Sequence, residues 1–452
     1  MACATVDALN SRRAPATVAD SAVQSAEREP TPGLVVVFSQ GKARYHPVVL
    51  PRTGTLMVGR DDVGGLALAD EKMSTRHAEL SWDAGFRVKD LGSRNGTFLD
   101  GVRVDGAVKS APAGVLRLGQ TLVLLLDDVS AFTRAEVSLE DGVVVGPKLR
   151  AVLNEAAAAR REGGHLLVRG ESGAGKELVA KTFHQAGSSP GPLVTFNCAN
   201  LQPSLAEARL FGTTKGAFSD AKDSSGLFLQ ADGGVLFLDE IAELDAQVQA
   251  KLLRAVETGE VQRVGESSVK RVNVSVVAAS HQSLHERVKA GLFRRDLLFR
   301  LNQFEVNLPP LRERLEELPW LMQQALADRA QTLHVSLVEA ALLRSWPGNV
   351  RELLSATLAA ATRAAADGGV VKAAHLASGA GVADEPEAAP VVTSPAASAL
   401  RARPDDVTKE AIVAALAESD GNATLAAKKL GLHRTQLNRL RSKFGLMEPS
   451  EE

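Results

Sequence analysis

The stretch Gly170-Glu171-Ser172-Gly173-Ala174-Gly175-Lys176-Glu177 decides the fold of this chain. It follows the apolar run Leu166-Leu167-Val168 and leads into Leu178-Val179-Ala180-Lys181, which continues as a helix. Strand, glycine-rich turn and helix form the setting that a phosphate-binding loop requires. The glycines let backbone N–H groups close around phosphate oxygens, and the helix N-terminus adds partial positive charge. Lys176 would reach the outer phosphates of ATP. A chance glycine-rich turn is the bland alternative, and a second motif argues against it. Asp232-Gly233-Gly234 precedes Val235-Leu236-Phe237-Leu238-Asp239-Glu240, a buried-type strand ending in two carboxylates. Such a strand delivers an Asp to magnesium, and Glu240 is placed to orient an attacking water. Glu177 stands where the generic loop carries Ser or Thr.

Bulk properties bound the rest. At 452 residues the chain holds two to four domains. With 45% apolar and 23% charged residues it has ordinary globular composition, and a net charge of −2 confines any DNA-binding surface to a local patch. Cys3 and Cys198 provide neither a disulfide framework nor metal-ligand spacing. Apolar runs such as Leu122 to Leu126 are far shorter than a membrane span, and no charged-then-apolar leader is seen. These features lead to the expectation of a cytoplasmic protein with no membrane partner.

In chain order, residues 1–33 read as a disordered tail. Residues 34–128 carry short β-rich runs between turn signals, including Val35-Val36-Val37-Phe38, Phe86-Arg87-Val88 and Leu122 to Leu126, which predicts a β-sandwich. Gly59-Arg60 closes a strand, Ser74-Thr75-Arg76-His77 falls in a loop, and Ser93-Arg94-Asn95-Gly96-Thr97 makes a turn. On these residues the stretch resembles a forkhead-associated domain, the phosphothreonine-reading sandwich. The resemblance implies that Arg60, Ser74 and Arg76 contact phosphate, that Ser93 and Asn95 hold the peptide, and that His77 braces the loop. The chemistry is coherent, since a phosphothreonine carries about −1.5 to −2 charge and three acceptor oxygens. The alternative is a purely structural sandwich in which Asn95-Gly96 is a hairpin turn and Arg60 a solvated charge.

Residues 129–142 read as a connector. A helical pattern spans Pro147 to Arg161, and alternating strands and helices then predict a parallel α/β sheet over residues 143–312. Phe196 to Ala199, the Leu236 strand and Val272 to Ala279 are expected as inner strands. Residues 313–375 read as a helical lid and residues 376–403 as a flexible linker. In residues 404–447 three short helical patterns around Gly421 and Gly431 predict a helix-turn-helix. Arg434, Thr435, Gln436, Asn438, Arg439, Arg441 and Lys443 are its candidate DNA contacts, the cations for phosphates and Gln436, Asn438 and Arg439 for base edges. A solvated charged helix face is the alternative.

Residues 143–375 resemble the AAA+ domain of bacterial enhancer-binding proteins, which activate sigma-54 RNA polymerase. The carrying motifs are GESGAGKE, Phe196-Asn197-Cys198-Ala199, Leu210-Phe211-Gly212, ADGGVLFLDEI, Phe293-Arg294, Leu308 to Arg314, and WPGNVREL from Trp346. The C-terminus resembles the Fis-type helix-turn-helix of the same regulators. The resemblance implies that Asn197 restrains Glu240, that His281 is the first sensor and that Arg351 is the second. It also implies that Arg294 and Arg300 are arginine fingers acting on a neighbouring subunit, in a protein that is a dimer when off and a hexameric or heptameric ring when on. The sigma-54 contact loop would be Gly216-Ala217-Phe218-Ser219-Asp220-Ala221, where the family reads GAFTGA; Thr213-Thr214 also replaces the usual His-Glu.

Three readings follow. The leading one is a DNA-bound ATPase that opens sigma-54 promoters under control of a phosphothreonine-bearing protein or kinase. The second is an ATP-binding, DNA-binding regulator that does not remodel sigma-54 because of Asp220. The third is a phosphothreonine-dependent scaffold, against which the retained Lys176, Asp239, Glu240, Arg294 and Arg300 argue.

Overall fold

A computed structural model describes residues 30–109, 113–188, 191–199, 202–217 and 223–382, together with Lys409, Ile412 and Val413. Of the tail expected at residues 1–33, residues 1–29 lie outside the described residues, as do most of the linker, the candidate DNA contacts Arg434 to Lys443, and Phe218, Ser219, Asp220 and Ala221; Gly33, expected in the tail, instead opens the first strand of the sandwich.

The N-terminal sandwich opens with β1 (Gly33–Ser39), β2 (Lys42–Val49), β3 (Leu56–Val58), β4 (Ala78–Trp82) and β5 (Phe86–Asp90). It closes with β6 (Thr97–Leu99), β7 (Val102–Arg103), β8 (Ala107–Lys109), β9 (Gly114–Leu118) and β10 (Thr121–Leu126). One sheet runs β2-β1-β10-β9-β6-β7, the other β3-β4-β5-β8, and all pairings are antiparallel.

The central strands of the larger sheet, β1 and β10, are buried on both faces. Leu34, Val36, Leu116, Leu118, Val123 and Leu125 fill the sandwich interior. The alternate residues Val35, Val37, Val115, Leu122 and Leu124 point outward into a second core, shared with the far-downstream helices of the lid. A bulge between Val36 and Phe38 adds Phe38 to this outward set. Two-sided burial explains why β1 and β10 read as continuous apolar runs, where a half-solvated antiparallel strand would alternate.

After the sandwich come α1 (Ser130–Arg134), β11 (Ser138–Glu140), β12 (Val143–Val145) and α2 (Pro147–Arg161). The α/β layer follows with β13 (Leu166–Arg169), α3 (Lys176–Gln185), β14 (Leu193–Asn197), α4 (Pro203–Phe211), α5 (Leu227–Gln230) and β15 (Val235–Asp239). Then come α6 (Ala246–Thr258), the two-residue pair β16 (Glu260–Val261) and β17 (Lys270–Arg271), β18 (Ser275–Ser280), α7 (Leu284–Lys289), α8 (Arg295–Leu301) and β19 (Phe304–Asn307). The main sheet is parallel in the order β14-β15-β18-β13-β19, with apolar layers on both faces. Two expectations are corrected here. The strand at Asn197 spans Leu193–Asn197 and lies at the sheet edge, pairing with β15 alone, so its side chains are only partly covered. The expected Val272–Ala279 strand starts at Ser275, because Val272 N–H is taken by the Gly259 carbonyl outside the ladder.

The lid consists of α9 (Leu318–Ala325), β20 (Thr332–Leu333), α10 (Val335–Leu342), α11 (Asn349–Ala364) and β21 (Val370–Val371). It runs beyond the expected limit at residue 375. Gly381 N–H donates to Glu352 Oε1 at 2.7 Å, and its carbonyl accepts from the amides of Ser345 and Trp346. Residues 376–382 are therefore lid, and the expected linker begins after them.

The sandwich and lid share one core: Val35, Val37, Phe38, Leu122 and Leu124 pack with Leu318, Leu321, Met322, Leu337, Val338 and Leu342. Arg117 Nε meets Glu339 Oε2 at 2.8 Å, and Gln323 Oε1 accepts from Ala43 N–H at 2.9 Å. At ~1.5–3 kcal/mol for each fully buried Val, Leu or Phe, apolar burial holds the interface. The part-buried ion pair, near the ~0–1 kcal/mol of exposed pairs, fixes its register. The segment expected to be a plain connector joins this core through Val129, Phe132 and Val137. The Tyr45 hydroxyl lies 2.8 and 2.7 Å from the carbonyls of Phe132 and Ala135.

Candidate functional site

The C-terminal ends of β14 and β15 and the loop after β13 converge on a cleft of about 540 Å³ roofed by the lid. Parallel strands place their C-terminal ends and the following helix N-termini on one edge of the sheet, which is where phosphates bind in such folds. The loop after β13 supplies Ser172 to Lys176 to the cleft wall. Gly173 has φ +74, and a Cβ there would sit 2.3 Å from the Gly348 carbonyl of the lid, so only glycine fits. Lys176 opens α3 and is 6% exposed; its ammonium donates to Glu240 Oε1 at 2.9 Å and lies 3.7 Å from Asp239 Oδ1.

Glu240 follows β15 in a left-handed conformation, φ +52. That backbone turns its carboxylate toward both Lys176 and His281, whose Nδ1 is 2.6 Å from Glu240 Oε2. Burial pushes the Asp239 carboxyl up, reinforced by Glu240 and opposed by Lys176. Burial would also raise Glu240, but the hydrogen bonds from Lys176 and His281 outweigh it and hold that carboxyl below its ordinary value. The two adjacent carboxyls are thus shifted in opposite directions by one pocket, which marks them as an electrostatically perturbed pair.

Asn197 lines the same cleft, but its Oδ1 accepts from Ala199 N–H at 2.8 Å. The contact with Glu240 expected of Asn197 is made here by His281 and Lys176. The β14 edge strand turns the Asn197 carbonyl-amide group back onto its own loop. Arg351 lines the cleft from α11. Arg294 and Arg300 do not: Arg294 pairs with Asp296 at 2.7 Å on an exposed face, and Arg300 donates to the Glu257 carbonyl at 3.4 Å. A single chain therefore brings together Lys176, Asp239, Glu240, His281 and Arg351 and keeps both arginines away.

The sequence reading missed the residues that tie lid to loop. Arg314 and Glu317, both 1% exposed, pair at 2.9 Å. Arg314 also donates to the Ala174 carbonyl at 2.9 Å, and Glu317 accepts from Gly146 N–H at 2.9 Å. Asn349, buried with φ +53, donates to Glu171 Oε2 and the Ser172 carbonyl, each at 3.0 Å. Arg312 grips Glu171 through two hydrogen bonds of 2.9 and 2.7 Å, which hold that carboxyl below its ordinary value. The charge-dense run Leu311 to Leu318 was the available signal. Its pattern of charges between apolar residues resembles a solvated face, yet Arg314, Glu316 and Glu317 are buried.

Of the sigma-54 contact loop only Gly216 and Ala217 are described. The base of that loop is pinned: Thr213 exchanges backbone hydrogen bonds with Ser224, and Thr214 N–H donates to the Val264 carbonyl. Cys198 is buried, which pushes its thiol up to about 12 and leaves it unreactive. Among the described residues no His, Cys, Asp and Glu cluster forms a metal cage, and no helix is long and apolar enough to cross a membrane.

On the sandwich, Arg60, Ser74, Arg76, Ser93 and Asn95 sit on the loops joining β3 to β4 and β5 to β6. A Cβ on Gly59 would lie 1.8 Å from the Thr75 carbonyl, so the strand end carrying Arg60 presses directly on the Ser74 loop. Arg60 N–H donates to the Ser74 carbonyl at 3.0 Å, and Arg94 N–H to Ser74 Oγ at 3.2 Å. His77 is fully buried: Nδ1 accepts from Ser74 N–H at 3.0 Å while Nε2–H donates to the Gly96 carbonyl at 3.2 Å. Burial pushes the imidazole down and keeps this bracing tautomer neutral. Arg76 Nε lies 3.1 Å from Met57 Sδ, Ser93 N–H donates to Asp90 Oδ2 at 3.0 Å, and Asn95 Nδ2 donates to the Lys72 carbonyl at 2.7 Å.

Fold and cleft define a multidomain AAA+ ATPase: a forkhead-associated-type β-sandwich joined to an α/β nucleotide-binding layer with a helical lid. Family models agree. Residues 143–307 match the Sigma-54 interaction domain, residues 56–119 the FHA domain, and residues 404–444 the bacterial regulatory protein Fis family. The transcriptional regulatory protein ZraR of Klebsiella oxytoca is 38% identical over 362 residues, 74% of this chain and 79% of that protein. The anaerobic nitric oxide reductase transcription regulator NorR of Salmonella paratyphi C is 42% identical over 300 residues, 63% of this chain and 59% of that protein. A crystal structure of NtrX from Brucella abortus in complex with ADP aligns with TM-score 0.48 at 25% identity, covering 69% of each chain. The chain belongs to the family of sigma-54-dependent transcriptional regulators; it binds ATP and is an ATPase with a Fis-type helix-turn-helix.

Proposed function

We propose that this ATPase works as a ring of its own copies, in the bacterial cytoplasm, to remodel the sigma-54 RNA polymerase holoenzyme from upstream DNA sites. The observation that carries this reading is the division of labour within one chain: the cleft gathers Lys176, Asp239, Glu240, His281 and Arg351, while Arg294 and Arg300 face away from it. The residues present fit a magnesium-bound nucleotide, since a glycine-only cradle, a buried lysine and two carboxylates adjoin. Asp239 would hold the magnesium ion, which neutralises phosphate charge. Lys176 and the amides from Gly170 to Glu177 bind the phosphates, and Glu240 orients water. Arg351 senses the nucleotide from the lid. Arg294 and Arg300 complete a neighbouring copy's cleft, in a dimer-to-hexamer or heptamer transition. Gly216 to Ala221 pass the work to sigma-54, and Arg434, Thr435, Gln436, Asn438, Arg439, Arg441 and Lys443 hold DNA. A phosphothreonine-bearing protein or kinase binds at Arg60, Ser74, Arg76, Ser93 and Asn95.

Open-complex formation at a sigma-54 promoter, with purified protein and ATP, tests this. No open complex even when oligomers are forced would refute remodelling. Asp220 in the contact loop favours the second reading, a DNA-binding ATPase that does not act on sigma-54, and the same assay separates the two.

A further inference from the structure

We propose that the docked sandwich and the helical lid move as one body, so that seating of the sandwich and occupancy of the nucleotide cleft are thermodynamically linked. Three observations carry this.

The first is the shared core. Val144 belongs to the core that contains Val35, Val37, Phe38, Leu122 and Leu124 of the sandwich, and it also lines the nucleotide cleft. Leu321 of α9 does the same from the lid. One apolar body thus reaches from the back of the sandwich to two walls of the cleft. Close-packed side chains cannot shift at one edge without disturbing the other.

The second is the link between that body and the phosphate loop. Lid residues hold the loop at three points: Arg314 on the Ala174 carbonyl, and Asn349 on the Ser172 carbonyl and on Glu171, which Arg312, just before the lid, also grips. Glu317 adds Gly146, at the head of α2. A lid that rotates must break or drag these contacts.

The third runs through the opposite face of the same sheet. Asp70, fully buried, accepts from Lys72 N–H at 3.0 Å, Gln120 N–H at 2.7 Å and the Thr121 hydroxyl at 3.0 Å. Thr121 in turn lies 3.0 Å from the Ser39 hydroxyl. The Lys72 carbonyl is the one held by Asn95 Nδ2. The loop that carries Ser74 is therefore fastened to the ends of β1 and β10, the two strands whose outward residues seat on the lid. A ligand that reorganises this loop acts on the seat, and the seat acts on the cleft. Linkage requires the reverse effect with the same factor. This peptide half rests on the reading of the sandwich as a phosphothreonine reader; the seat half does not.

The test uses the full chain and the Arg117–Glu339 pair, which lies at the seam and outside both sites. Arg117→Glu and Glu339→Arg each place like charges together and should weaken binding of ADP, measured by calorimetry, at least fivefold. The double exchange should restore it to within twofold, which a nonspecific folding defect would not do. Should Arg117→Glu fail to fold, Glu339→Arg and the double exchange still decide. ADP affinity within twofold of the parent in the single variants that fold overturns the proposal. In the second arm, a labelled pool of phosphothreonine peptides is titrated with and without ADP. A shift of fivefold or more, lost in the single variants, supports the linkage, and equal affinity overturns it. If no peptide binds, the phosphothreonine reading fails, and the charge-exchange arm still decides the seat.

Discussion

The Lys176 ammonium lies 2.9 Å from Glu240 Oε1 and 3.7 Å from Asp239 Oδ1, inside a cleft where all three groups are largely shielded from water. A polyphosphate entering the cleft competes with these carboxylates for the lysine, so binding energy and catalytic geometry are coupled at one atom. Lys176→Ala should lower ATP affinity by a factor of about a hundred or more, as loss of a charge-assisted contact in a desolvated site predicts. Glu240→Gln keeps the shape and should retain ATP binding while turnover falls ~10²–10⁴-fold, the range of general acid–base contributions. Calorimetry and steady-state ATPase rates on both variants check the split; equal losses of binding in the two would contradict it.

Arg294→Ala should bind ATP normally yet lose turnover by ~10³–10⁵, the usual worth of an arginine finger. Mixing it with Lys176→Ala should recover activity, because one copy supplies the finger and the other the intact cleft. Mixed oligomers that stay as inactive as the separate variants would remove the role of the interface between copies.

Gly173→Ala tests how closely the loop and lid approach. The new methyl meets the Gly348 carbonyl at 2.3 Å on a left-handed backbone. Strain of roughly 1–3 kcal/mol should appear as nucleotide affinity weakened about tenfold, with the α/β layer still folded by circular dichroism. An unchanged dissociation constant would show that the lid does not need this approach.

Glu316 is buried where sandwich, lid and α2 meet, and burial pushes its carboxyl up to about 7, with repulsion from Glu317 adding to it. The native state therefore binds this proton more tightly than the unfolded chain does. Its contribution to stability is complete below the ordinary carboxylate value of 4.5 and is lost as pH rises through 7. The full span is on the order of 3 kcal/mol. Glu316→Gln stays neutral, so its Tm relative to the parent should climb between pH 5 and pH 8. A Tm difference that is constant across that range would place the titration elsewhere.

Asp220→Gly with Ser219→Thr restores the family's contact-loop pattern. In the proposed ring, several copies of Asp220 would bring like charges together, and glycine would give that position more backbone freedom. The double variant should gain sigma-54 binding in a pull-down with ATPase rate unchanged within about twofold. No gain would mean that the natural loop is already competent or that sigma-54 is not the target.

The nucleotide site was legible because its parts are local. GESGAGKE and LFLDE each lie within one strand-and-turn unit, and short-range geometry forces glycine, lysine and paired carboxylates into those places. Arg60, Ser74, His77 and Asn95 were readable as loop residues, each lying in a connection between strands. What escaped were partners distant in sequence. Arg117 and Glu339 are 222 positions apart, and no periodicity near either reveals the other. The buried Arg314, Glu316 and Glu317 look like a solvated charge run until the lid closes over them.

The sequence by itself determined which local motifs this protein carries: a phosphate loop, a carboxylate strand and a forkhead-associated-type sandwich. The tertiary structure alone decided that sandwich and lid share a core, and that Glu240 rests against His281 as well as Lys176. The physical reason is that apolar burial has no direction. The unbroken runs of β1 and β10 state that both faces must be covered, but only the folded chain specifies what covers the second.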